Sequence, residues 1–88
     1  MLGLAVVRKR ALYISDQAPA AALLERLAAD MYTVECLYGL DAGLRALAFG
    51  ATPDRVIVGP LRDRGLAMFL QKLRALRIDV VVLADSTT

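Results

Sequence analysis

Short apolar runs alternate with stretches of helical periodicity along most of the chain. The runs are Ala11-Leu12-Tyr13-Ile14, Thr33 to Tyr38, Arg55-Val56-Ile57-Val58 and Asp79 to Leu83. Runs of this length, bounded by Gly, Pro, Asp and Ser, predict β-strands. Between them, Leu23, Leu24, Leu27, Ala28 and Met31 predict one amphipathic helix, Leu44, Leu47 and Ala48 a shorter one, and Leu66, Phe69, Leu70, Leu73 and Leu76 a third. Strand and helix in alternation imply parallel strands joined by right-handed crossovers, an α/β fold. The third strand is apolar throughout and reads as central, covered on both faces. Ser15-Asp16 is expected to cap the first helix, opening near Ala18-Pro19, and Asp41 the second. One domain over residues 10–88 follows, with residues 1–9 as a prefix or extra strand.

Composition narrows the chemistry. Apolar residues make up 58% of the 88, Trp is absent and aromatics are few, so the core is built from Ala, Leu and Val and disorder is not expected. The net charge of +2 gives little pull on nucleic acid, and the basic candidates Arg8, Lys9, Arg10, Arg62 and Arg64 read as solvated charges. Cys36 is the only cysteine and reads as a small buried apolar side chain, so no disulfide is expected. With no His and no paired carboxylates, the chain does not read as an enzyme, and no cofactor or metal is expected. Met1 to Val7 is apolar but too short to span a bilayer, and its basic run follows it, so a cytoplasmic protein is the expectation.

The order of elements resembles the first four strands and three helices of a response-regulator receiver domain, from Arg10 to Thr88. Ala11-Leu12-Tyr13-Ile14-Ser15-Asp16 stands where receivers have an apolar strand ending in two acidic residues, and Pro19 lies close to their early-helix proline. Asp54-Arg55-Val56-Ile57-Val58-Gly59 resembles the strand that ends in the phosphoacceptor, Gly65-Leu66 the opening of the third helix, and Val80-Val81-Val82-Leu83-Ala84 the strand with the switch hydroxyl. The resemblance implies a flavodoxin-like, receiver-like parallel sheet of about four strands, order 2-1-3-4, with three helices.

Departures from the family pattern shape the functional expectation. Active receivers hold Mg²⁺ with clustered carboxylates and phosphorylate one of them. Here the acceptor position is Gly59, Ser15 replaces one acidic residue and leaves Asp16 alone, and Ala84 stands at the switch position with Ser86 and Thr87 nearby. Asp63, between Arg62 and Arg64, reads as a solvated loop charge, and the family's lysine would fall beyond Thr88.

A sheet stopping at the fourth strand would leave Val80, Val81, Val82 and Leu83 as an open edge and bare part of the third and fourth strands. Covering roughly 400 Å² of apolar surface would contribute on the order of 10 kcal/mol before association costs. The expectation is therefore a phosphorylation-independent pseudoreceiver of a bacterial-type regulator, forming a homodimer or docking on a heterologous signalling protein. The alternative is a domain binding a nucleotide or phosphorylated metabolite at the strands' carboxyl ends, near Ser15, Asp16, Gly59, Pro60, Asp85, Ser86 and Thr87.

Overall fold

A computed structural model describes residues 9–50, 52–62 and 64–83. The elements follow in the order β1 (Lys9–Ser15), α1 (Ala21–Ala29), β2 (Tyr32–Tyr38), α2 (Leu40–Phe49), β3 (Arg55–Val58), α3 (Leu66–Ala75) and β4 (Asp79–Val82). The strands form one parallel sheet in the order β2-β1-β3-β4, an α/β architecture consistent with a flavodoxin-like fold. Register pairs Ala11 with Val34 and Arg55, and Ile57 with Val81. The first strand begins at Lys9, one residue before the expected boundary, and the expected prefix otherwise lies outside the described residues.

Alternation along the strands divides the core in two. Leu12, Ile14, Val56 and Val58 point to one face, where Leu40 of α2 and Phe69 and Leu73 of α3 bury them. Ala11, Tyr13 and Ile57 point to the other, where Leu27 of α1 and Tyr32 meet them. The two central strands are thus buried on both sides, as parallel strands require. Helix α2 comes close to the sheet at buried Gly43, where a Cβ would lie 2.6 Å from the Ile14 side chain.

Several side chains depart from the expected pattern, and position in the fold explains them. Ala28, Ala48 and Leu76 are exposed, as is Met31, because only a narrow stripe of each helix faces the sheet. Cys36 is exposed instead of buried, since it lies on the outer strand β2. Neither expected helix cap forms. Helix α1 starts at Ala21 with Ala20 as its N-cap, α2 starts at Leu40 after Gly39, and neither N-cap makes a side-chain hydrogen bond. The exposure expected over the third and fourth strands falls on β4 alone. Val56, Ile57 and Val58 are all buried, whereas Val81 is 37% and Val82 55% exposed.

Among the described residues, two other than glycine adopt the left-handed backbone conformation, Met31 (φ 68°) and Arg77 (φ 57°), each one residue past a helix C-cap. After α3 the chain is tied back by bonds from Arg77 N to Arg74 O (3.0 Å) and from Ile78 N to Leu73 O (3.1 Å). A side chain in this conformation is disfavoured by its Cβ, and glycine is the usual occupant. Arg77→Gly is expected to raise stability by about 1 kcal/mol, a rise in melting temperature of roughly 4–8 °C for a domain of this size, read by thermal denaturation.

Candidate functional site

The carboxyl ends of β1, β3 and β4 meet at a cleft of about 530 Å³, lined by Asp16, Gln17, Gly59, Pro60, Arg62 and Val82, among others. In sheets of this kind, ligand sites lie at this end of the strands. Ser15, Asp16 and Gly59 are brought together here, as expected. Ala84, Asp85, Ser86 and Thr87 lie outside the described residues, as does Asp63.

Ser15 is fully buried at the end of β1. Its hydroxyl donates to the Pro60 carbonyl oxygen at 2.7 Å and accepts from the Gln17 N–H at 3.1 Å. Asp16 N–H donates to the same carbonyl at 3.0 Å, and the Asp16 carboxylate accepts from the Arg62 N–H at 3.0 Å. The two residues that stand where receivers place an acidic pair therefore tie the β1 loop to the β3 loop. Sequence reasoning assigned Ser15 and Asp16 to a helix cap because a cap is a local contact. The bonds from these side chains to Pro60 and Arg62 reach 45 and 46 residues along the chain, a separation that no local signal spans.

Gly59 is held by packing as well as by chemistry. A Cβ there would approach Tyr13 Cζ to 2.9 Å and Ser15 Cβ to 3.0 Å, and would collide with the Tyr13 hydroxyl. Tyr13 is itself buried beneath α1, so the space a side chain at position 59 would need is filled. Among the described residues, no three His, Cys, Asp or Glu side chains gather in a metal-binding cluster.

Of the residues expected to form an interface, Val80, Val81 and Val82 lie on the outer strand β4 and Leu83 just past it. Among the described residues β4 pairs only with β3. Its side chains alternate. Val80 joins the core on the α2–α3 side, and Leu83, just past the strand, packs on the α1 side. At the start of the strand, Arg55 Nε donates to Asp79 Oδ2 at 2.8 Å while its guanidinium lies 5.1 Å from the Tyr32 ring centroid.

The basic candidates do not form one surface. Lys9 and Arg10 lie at the amino end of β1, where Arg10 pairs with Glu35 at 3.1 Å, while Arg62 is beyond the opposite end of the sheet. Arg8 lies outside the described residues. No helix among them is long and apolar enough to cross a membrane.

No protein-family model, curated protein or solved structure matches the chain. The geometry defines a small α/β domain, consistent with a flavodoxin-like fold, in which position 59 has no room for a side chain.

The contact between Gly59 and Tyr13 predicts a specific coupling. Gly59→Ala is expected to destabilise by about 1–3 kcal/mol, the range for overpacking a filled site. In a Tyr13→Phe background, which removes the nearest atom, the same substitution should be less damaging by about 0.5 kcal/mol or more, a coupling that a double-mutant cycle in urea measures.

Proposed function

We propose that this chain is a phosphorylation-independent pseudoreceiver, an interaction module of a regulatory system that keeps a receiver-like scaffold and associates with a second copy of itself. The observation that carries the reading is β4, an apolar outer strand with Val81 and Val82 exposed beside a buried sheet. A flat apolar edge with open backbone groups invites pairing or covering. The Gly59 packing supports phosphorylation independence, since a nucleophile at that position would have to displace Tyr13.

Magnitudes decide how such an association must be built. Burying a whole valine side chain contributes about 1.5–3 kcal/mol, so completing the half-exposed Val81 and Val82 supplies on the order of 2 kcal/mol. Association costs about 4–15 kcal/mol in lost freedom. The edge strand alone does not hold a dimer, and the adjoining sheet face has to take part. Val81 and Val82 point to opposite faces, so they separate the two sides of the edge.

Light scattering across a concentration series tests the reading, with a concentration-dependent dimer as the expected result. Val81→Asp, on the α1 side, should give a folded monomer by circular dichroism and scattering, and an unchanged dimer would remove that side from the interface. Treatment with a small phosphodonor and Mg²⁺ should add no phosphate mass to the protein. A stable aspartyl phosphate would falsify phosphorylation independence.

A second reading rests on the 530 Å³ cleft at the carboxyl ends of the strands. Its volume falls in the range of small-molecule sites, and Asp16 and Arg62 give it polar groups. A rise in melting temperature with a nucleotide or phosphorylated metabolite would favour ligand binding, and no change across a panel would count against it.

A further inference from the structure

We propose that two copies of this chain meet through their α1 faces, each α1 lying antiparallel beside the other and over the half-covered β4 side of the partner's sheet. The proposal rests on the self-association reading and names the surface and its occupant.

On the α1 face, a groove of about 110 Å³ runs between the helix and the outer half of the sheet. Leu23, Arg26 and Asp30 form its helical wall, Ile57, Val81 and Leu83 its floor, and Arg55, already paired with Asp79, borders it. The opposite face carries two helices, α2 and α3, whereas among the described residues α1 alone packs on this one. An occupant lying on the flat of a sheet finds no backbone partners there, because the strand groups bond within the sheet. It must bring its own hydrogen bonds, which is what a helix does.

The sequence of α1 suits it to be that helix. It reads AALLERLAA, and a one-layer surface helix would be expected to carry charged residues on the side away from its sheet. Glu25 and Arg26 are its charged residues, and its other exposed positions include Ala21, Ala22, Ala28 and Ala29. The small side chains let a second sheet face approach from outside, so α1 would be covered by its own sheet on one side and by the partner's β4 half on the other.

Charge selects a second copy as the occupant. Arg26 and Asp30 lie one turn apart on the groove side, and neither makes an ion pair among the described residues. In an antiparallel pair about a two-fold axis passing level with position 28, Arg26 of each copy lies level with Asp30 of the other. The contact is then made twice, as an isologous interface requires. The patch is complementary to itself in shape and in sign.

The test uses Arg26→Asp and Asp30→Arg, both at exposed helical positions, as separate full-length chains. Each variant alone puts like charges across the axis, and its self-association should weaken at least tenfold by light scattering. An equimolar mixture joins a doubly acidic stripe to a doubly basic one, and native mass spectrometry should show a heterodimer in excess of either homodimer. An effect confined to one helix cannot produce that preference.

If each variant dimerises as the wild type does, or if the mixture shows no heterodimer preference, this arrangement is overturned while self-association stands. A wild-type chain that is monomeric at every concentration overturns both. Should either variant fail to fold, Ala22→Lys on the outer side of α1 serves in its place, with weakened dimerisation expected and an unchanged dimer overturning the proposal.

Discussion

A parallel sheet has to be covered on both faces, because its crossovers carry it through the middle of the domain and its central strands are apolar on both sides. Everything else in this fold follows from how three helices meet that demand. Ala11 to Ser15 and Val56 to Val58 are buried residue by residue, and their side chains alternate between two separate cores. Two helices serve the core built on Leu12, Ile14, Val56 and Val58, and one serves the core built on Ala11, Tyr13 and Ile57. Three helices cannot cover two faces of four strands equally. The shortfall is concentrated on β4, the strand farthest from α1, and the exposed Val81 marks it.

The same constraint explains what happens at the carboxyl ends of the strands. With one helix above them, Tyr13 and Ser15 fill the space between β1 and β3, and the aromatic side chain takes the room that a residue larger than glycine would need at position 59. The hydroxyl of Ser15 and the carboxylate of Asp16 then close the loops by binding Pro60 and Arg62. Burying a polar group is tolerated where its bonds are made, and Ser15 makes two. These positions do structural work in place of holding a charged cluster.

The limits of β3 were legible because parallel central strands announce themselves as unbroken apolar runs, while the strand order came from the resemblance to a receiver sheet. Arg55 to Val58 is bounded in the structure as in the pattern. The helical periodicity located Leu27, Phe69 and Leu73 but not Leu40, the core residue that opens α2, where Leu44 and Leu47 are only partly buried. What the pattern could not say is which residues of an outer strand or a helix flank stay exposed, and that is where it misled. Cys36 sits in an apolar-looking stretch yet is exposed, since β2 has a neighbour on one side only. Ala48 and Leu76 likewise fit a helical stripe wider than the one the sheet covers. At the candidate site, Gly59 was readable as a missing nucleophile. The packing of Tyr13 against it was not, because register between β1 and β3 is a property of the folded sheet.

The composition of α1 links the uncovered strand to a way of covering it. A helix that serves a single face should be amphipathic, and α3 meets that expectation with Gln71, Lys72 and Arg74 turned to solvent. Helix α1 carries two charged residues as well and yet presents Ala21, Ala22, Ala28 and Ala29 outward. Alanine is the best helix former, so propensity alone could account for several of these positions. Propensity does not explain why Arg26 and Asp30 sit together on the side that borders the groove. A second layer accounts for the alanines, and a two-fold axis accounts for the pair of opposite charges, so one arrangement answers both along with the half-bare β4.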